Sequence, residues 1–70
     1  MELRRVVGRN VKRLREQQGL PQDELAHAAD IHVTYLSGVE NGHRNLTMNV
    51  LERLAKSLGV TEEELVRRTA

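Results

Sequence analysis

The chain has 70 residues, enough for one small domain, and its 11 Lys and Arg nearly balance its 10 Asp and Glu. It contains no Cys, which excludes a disulfide-stapled fold and a zinc site with Cys ligands. No apolar run approaches the roughly 18 residues of a membrane-spanning helix, and the N-terminus lacks the apolar core of a signal peptide. We therefore expect one domain over residues 1–70, cytoplasmic and without a membrane partner.

Charge is unevenly distributed along the chain. Residues 1–20 contain six Lys and Arg, whereas residues 21–42 contain four acidic residues and no Lys or Arg. Because the net charge is only +1, bulk charge is weak evidence for a nucleic-acid partner. Any electrostatic footprint depends on how the fold arranges these segments.

The apolar residues recur at helical spacing, and turn residues divide them into five segments. The first helix ends near Gln18, with Gly19 as a left-handed stop. The second is predicted from about Gln22 to Ala29. The third is predicted from about Val33 to Glu40 and ends at Asn41-Gly42, a pair that tolerates positive φ. The stripe along the first helix consists of Leu3, Val6, Val7, Val11 and Leu14.

The fourth and fifth helices have clear start signals. Thr47 is a predicted N-cap of the fourth helix, and Gly59 closes that helix. Thr61 is a predicted N-cap of the fifth, with Glu64 three residues later to complete a capping box. No segment alternates with period two, so the prediction is an all-α fold, a compact bundle of four or five short helices.

The turn between the second and third helices carries the functional signal. It spans only Ala29-Asp30-Ile31-His32. A short helix, a tight turn and a second short helix describe a helix-turn-helix unit, here at about residues 22–41. Spacing alone is weak support for DNA binding, because any small helical bundle contains such corners.

Residue types at several fixed offsets carry a resemblance to a known family. They are Gly19-Leu20, Gln22, Glu24-Leu25-Ala26, Tyr35-Leu36-Ser37, Glu40-Asn41-Gly42 and Leu58-Gly59-Val60. From about Val11 to Leu65 the sequence resembles the lambda-repressor-like helix-turn-helix domains of phage Cro and repressor proteins. Within that family, Thr34-Tyr35-Leu36-Ser37-Gly38 and Arg44-Asn45-Leu46-Thr47 look most like the controller proteins of restriction–modification systems.

The resemblance implies a sequence-specific transcriptional regulator that binds a double-stranded DNA operator as a homodimer. Helix three of each subunit would enter the major groove, and the half-sites of a roughly palindromic operator would lie about one DNA turn, roughly 34 Å, apart. The dimer contact is expected in helices four and five, through Val66 and part of the Leu58–Leu65 surface. We expect no catalytic residue, no cofactor, no metal and no small-molecule effector.

The resemblance also assigns candidate DNA contacts, in two groups. From helix three, Val33, Thr34 and Ser37 are expected to face base edges, with Gly38 permitting close approach of the backbone. A further group is expected to contact the DNA backbone: Gln22, Tyr35, Arg44, Asn45 and Thr47. Val33 offers only an apolar contact, such as a thymine methyl group, so direct readout is expected to be sparse.

Each of these roles has a plainer alternative. Gln22 could merely cap its helix, and Tyr35 could pack on the elbow between helices two and three. Val33, Thr34 and Ser37 could lie on a solvated helix face. Arg44 could be ordinary surface charge.

Two further expectations concern the framework of the unit. Arg15 and Glu40 are expected to form a structural ion pair, because family members often pair an arginine late in helix one with a glutamate near the end of helix three. Pro21 and His32 stand where the family usually places a polar N-cap, and they offer no acceptor and a weak acceptor respectively. The three histidines lack metal-ligand spacing and are expected at the surface.

The alternative from another class is an antitoxin-like or other protein-interaction helical module. An exposed apolar tail would favour it, but the tail here, Val66-Arg67-Arg68-Thr69-Ala70, is short and charged. An enzyme is not expected, because the sequence offers no paired carboxylates in a cleft, no nucleophile–base set and no phosphate-binding loop.

Overall fold

A computed structural model of the protein describes residues 1–68, and this range contains five α-helices and no strand. The helices are α1 (Leu3–Gln17), α2 (Gln22–Ala28), α3 (Val33–Glu40), α4 (Met48–Leu58) and α5 (Glu62–Val66). The all-α prediction is confirmed, with helix ends that differ by about one residue from those expected. Within the described range, every helix is too short or too polar to cross a bilayer.

The core lies between α1 and the other helices, with α1 packed chiefly on α3 and α5. Its largest fully buried side chains come from all five helices, and each buried Leu contributes about 1.5–3 kcal/mol. They are Val11, Leu25, Leu36, Val39, Leu54 and Leu65. The apolar helix faces predicted from the sequence are therefore the ones that pack against each other in the core.

Gly8 explains the close approach of α1 to α3. A Cβ atom at this position would overlap the backbone carbonyl of Val39 and lie 3.0 Å from the carbonyl oxygen of Glu40. Glycine inside a helix costs about 1 kcal/mol relative to alanine. The packing of α1 on the end of α3 is the physical reason for the glycine here.

The helices α4 and α5 are capped as predicted. The Oγ1 atom of Thr47 accepts a hydrogen bond from the backbone N–H of Val50 at 3.1 Å, and that of Thr61 accepts one from Glu64 at 3.3 Å. Gly59 ends α4 in the left-handed conformation, with φ of 70°. The capping box is only half formed. Within residues 1–68, the Glu64 carboxylate accepts no hydrogen bond from the backbone N–H of Thr61.

The helices α2 and α3 begin without side-chain caps. Neither Pro21 nor His32 accepts a hydrogen bond from the helix that follows it. Between the two helices, Asp30 adopts the left-handed conformation with φ of 57°, which Asp tolerates better than most residues. A guanidinium hydrogen of Arg53 on α4 is donated to the Asp30 carbonyl oxygen at 3.2 Å, so α4 holds the turn of the unit.

Candidate nucleic-acid interface

One side of α3 faces solvent and carries the three residues expected to read bases. Val33 is 41% exposed, Thr34 is exposed and Ser37 is half-buried. Leu36 and Val39 point to the opposite side and are fully buried. Because both sets follow the 3.6-residue period, the same packing that anchors α3 presents the first set outward.

The segment after α3 folds back over that helix. The backbone N–H groups of His43 and Arg44 are both donated to the carbonyl oxygen of Gly38, at 2.9 and 3.2 Å. A Cβ atom at Gly38 would lie 2.6 Å from Cγ of Arg44. The space left by this glycine is thus filled by the arginine stem. The close approach of the Gly38 backbone to DNA stays a prediction, and the structure shows that Arg44 packs beside it.

Tyr35, Arg44 and Asn45 form one cluster. The guanidinium carbon of Arg44 lies 5.7 Å from the centre of the Tyr35 ring, a cation–π arrangement, and the Tyr35 hydroxyl donates to the Asn45 carbonyl oxygen at 3.1 Å. Since a phosphate only accepts hydrogen bonds, Tyr35 would have to release Asn45 to contact one. The Tyr35 side chain therefore shapes the loop that carries Arg44, and its contact with a phosphate stays a prediction.

Thr47 sits where this loop enters α4. Its hydroxyl oxygen accepts the N–H of Val50, which leaves the hydroxyl hydrogen available to another acceptor. Arg44, Asn45 and Thr47 are all exposed. The loop thus offers a guanidinium, an amide and a hydroxyl donor side by side.

A buried polar network joins α1, α2 and α3. The Nε and Nη2 atoms of Arg15 donate to the two carboxylate oxygens of Glu40 at 2.7 and 3.0 Å, and Nη1 donates to the Leu20 carbonyl at 2.7 Å. The side-chain nitrogen of Gln22 donates to Glu40 as well, at 2.9 Å. The structure therefore brings the expected ion pair together and adds Gln22, which the sequence had suggested for a different role.

The environment of Arg15 keeps its guanidinium charged. Its hydrogen bond to Glu40 raises the pKa of the Arg15 guanidinium above its ordinary value, although burial opposes the rise. Both side chains are nearly enclosed, with 11% of Arg15 and 2% of Glu40 exposed. An enclosed pair of this kind is costly to break, because removal of one partner leaves a buried charge alone.

Sequence reasoning missed two polar residues that join helices. Asn10 is buried and its side-chain amide donates to the carbonyl oxygens of Leu65 and Arg67, at 2.8 and 2.9 Å. Gln18 similarly donates to the Leu58 carbonyl at 2.7 Å. Asn10 had a signal in the sequence, because it lies four residues after one member of the apolar stripe and four before another. Gln18 had none.

The apolar surface overlaps only in part with the one expected for a dimer contact. Leu58 and Leu65 are buried in the core and cannot face a partner, because they close the contacts of α4 and α5 with α1. Two exposed large apolar side chains lie where α1 and α4 begin: Leu3 is 50% and Met48 is 85% exposed. Half-buried Leu46, Leu51 and Val66 line the same shallow groove, together with Arg4, Val7, Asn45 and Thr47.

The helix-turn-helix family model matches residues 11–65, most of the chain. The chain belongs to the helix-turn-helix family. An uncharacterized HTH-type transcriptional regulator of Sinorhizobium fredii, y4dJ, is 44% identical over 99% of this chain and 90% of its own length. The control protein C.BamHI of Bacillus amyloliquefaciens is 34% identical over 91% of this chain and 80% of its own.

A solved structure of a related protein has the same fold. The restriction-modification controller protein C.AhdI from Aeromonas hydrophila is similar with a TM-score of 0.86 and 32% identity, over 89% of this chain and 94% of its own. The resemblance to Cro/repressor-type regulators, and within them to controller proteins, is confirmed. Members of this helix-turn-helix family are DNA-binding regulators rather than enzymes.

Proposed function

We propose that this protein is a sequence-specific transcriptional regulator that binds a double-stranded operator as a homodimer, with residues 1–70 as one DNA-binding domain. The observation that carries the proposal is the exposed side of α3 beside the donor-rich loop at Arg44, Asn45 and Thr47. In helix-turn-helix proteins the second helix of the unit lies in the major groove, with flanking groups on phosphates. The unit itself is residues 22–41.

Base reading is assigned to Val33, Thr34 and Ser37. The hydroxyls of Thr34 and Ser37 can donate to or accept from base edges, and Val33 can pack on a thymine methyl group. No Arg, Asn or Gln stands on α3 to make a two-bond contact with guanine or adenine. DNA shape and bendability are therefore expected to supply much of the specificity.

Phosphate contacts are assigned to Arg44, Asn45, Thr47 and Gln22. Packing over Tyr35 supports the Arg44 guanidinium before DNA arrives, so less side-chain freedom is lost on binding. The loop from His43 to Thr47 contains no acidic residue that would repel the DNA backbone. These contacts position the protein and carry no base information.

We assign the dimer contact to the apolar groove around Leu3, Met48, Leu51 and Val66, which a second copy of the chain would cover. Leu3 and Met48 are exposed beside this groove, and burial of their apolar side chains against a second copy would be favourable. Met48→Glu should convert the dimer to a monomer, measured by sedimentation, and should weaken operator binding. The control Glu63→Gln, at an exposed position of α5, should change neither property. An unchanged dimer in Met48→Glu would exclude this surface.

Selection of bound sequences from a random DNA pool, at two salt concentrations, tests the function. We expect an enriched inverted repeat whose half-sites lie about one DNA turn apart, roughly 34 Å. Salt-sensitive binding without an enriched sequence would contradict the proposal. That result would favour the protein-interaction alternative, with a protein partner in the apolar groove.

Two substitutions separate phosphate contact from base reading. Arg44→Ala should weaken binding to all sequences and reduce the slope of log K against log salt by about one unit. Thr34→Ala should leave that slope unchanged and relax preference at one base position, by about 0.5–1.5 kcal/mol, the net value of a single hydrogen bond. Lys56→Ala, in the last turn of α4, is the matched control for loss of a cation. If Arg44→Ala and Thr34→Ala behaved alike, the division into two groups would be wrong.

A further inference from the structure

We infer that Glu40 is a positioning residue for DNA binding: it orients the side-chain amide of Gln22 so that one amide hydrogen is presented to a phosphate. The inference rests on the proposed function and extends it. It assigns to Glu40 a second task besides its pairing with Arg15. The observation behind it is the 2.9 Å hydrogen bond from Gln22 to Glu40, made beside the buried ion pair.

The chemistry of the three side chains determines which way the amide points. An ionised carboxylate only accepts hydrogen bonds, so Gln22 must turn its NH2 group, not its carbonyl oxygen, toward Glu40. One of the two amide hydrogens is used in this bond, and the second is left on the same nitrogen. A phosphate oxygen is also only an acceptor, so it can take that second hydrogen. With the amide reversed, the carbonyl oxygen would face the phosphate and repel it.

The position of Glu40 on α3 places Gln22 at the end of the exposed side. Residues 33, 37 and 40 are separated by four and three positions, so their side chains follow one another along a single stripe of the helix. Val33 is exposed and Ser37 is half-buried, whereas Glu40 is buried. The side chain of Gln22 is half-buried and lies on Glu40. DNA that follows this stripe would therefore meet Gln22, not the carboxylate.

Arg15 makes the arrangement rigid. Two of its guanidinium nitrogens hold the two oxygens of Glu40, and the third donates to the carbonyl of Leu20, two residues before Gln22. Arg15 thus holds both the Glu40 carboxylate, which accepts from Gln22, and the backbone that leads into Gln22. A preorganised donor costs less entropy on binding than a mobile one.

A double-mutant cycle measured on operator affinity tests the inference. Gln22→Met keeps the length of the side chain and removes the amide, and it should weaken binding about tenfold. Glu40→Gln should weaken binding severalfold more in the original background than in the Gln22→Met background, because only the original background has an amide to lose its orientation. The salt slope should stay constant in Gln22→Met, because a neutral donor releases no counterion, in contrast to Arg44→Ala.

The outcomes separate the inference from the function on which it rests. If the unsubstituted protein selects no operator, the proposed function fails. If it selects an operator but Gln22→Met binds equally well, or the two losses simply add, Glu40 acts only on the fold and the inference is overturned. Circular dichroism of each variant shows whether it is folded under the binding conditions.

A measurement on the unsubstituted protein keeps the test valid if Glu40→Gln does not fold. In NMR spectra, one Gln22 side-chain amide hydrogen should be protected from exchange in the free protein. When the selected operator is added, that protection should persist and the other hydrogen should shift downfield. If neither amide hydrogen moves, or if the protected one becomes exposed, the inference is overturned.

Discussion

The two helical pairs α2–α3 and α4–α5 are built in different ways. The helices α4 and α5 start at threonines whose hydroxyls accept the first backbone hydrogens, and α4 ends at a left-handed glycine. The helices α2 and α3 start at Pro21 and His32, which cap nothing. Their support comes from outside, through Arg15 of α1 on Glu40 and Arg53 of α4 on Asp30.

This difference shows which contacts set the orientation of α3. Helices of seven and eight residues are too short to be stable alone in water. The orientation of α3, and with it the placement of Val33, Thr34 and Ser37, depends on contacts with α1 and α4. Damage to the buried network should therefore affect DNA binding and stability together, while damage to a cap should affect mainly one helix.

The largest expected effect comes from breaking the buried ion pair. Arg15→Met should reduce the free energy of unfolding by about 3–5 kcal/mol, because it leaves the Glu40 carboxylate buried without its main partner. Arg4→Met is the matched control: its pair with Glu2 is exposed and should contribute less than about 1 kcal/mol. Urea unfolding measures both. Equal small losses would mean that α3 does not depend on α1 for its position.

Two glycines inside helices should differ in how much stability the same substitution costs. Gly8→Ala should destabilise the fold by about 1–3 kcal/mol, because the new methyl group meets the backbone of α3. Gly38→Ala meets only the flexible stem of Arg44, so helix propensity should offset the contact and leave stability within about 1 kcal/mol. It should still weaken DNA binding by displacing Arg44. Thermal unfolding that ranks Gly38→Ala below Gly8→Ala would contradict this account.

The N-caps of α4 and α5 should have smaller and local effects. Thr47→Ala should cost about 1 kcal/mol, and Thr61→Ala less, because α5 has five residues and its cap bond is longer at 3.3 Å. Thr47→Ser keeps the hydroxyl and should be nearly neutral. Hydrogen exchange should show faster exchange in the first turn of the affected helix only. Faster exchange throughout α3 would show that α3 also depends on these caps.

The smallest expected effect is that of pH on the ion pair. The pKa of Arg15 is raised in the folded protein, so its stabilisation is complete below the unfolded-state pKa and is lost only as pH rises through the folded-state pKa, far into the alkaline range. The difference in unfolding free energy between the unsubstituted protein and Arg15→Met should therefore be constant between about pH 6 and 9. A difference that falls across this range would assign the stabilisation to another group.

Local structure could be predicted from the sequence alone. The bounds of five helices, the caps at Thr47 and Thr61 and the turn at Gly59 depend on residues only a few positions apart, so their signals are contained in short windows. The family also followed from residues at fixed offsets, because those offsets preserve the same helix contacts.

Contacts between helices were decided only in the tertiary structure. Periodicity shows that a helix has an apolar face, but not which part another helix covers, so the exposure of Met48 beside half-buried Leu51 could not be predicted. The bonds of Gln22 to Glu40 and of Asn10 to α5 join residues far apart in sequence, and a polar side chain gives no sign of its distant partner. The sequence by itself determined the helices and the family. The packing of α1 against the rest decided which donors remain for DNA, because each hydrogen used inside the fold is unavailable outside it.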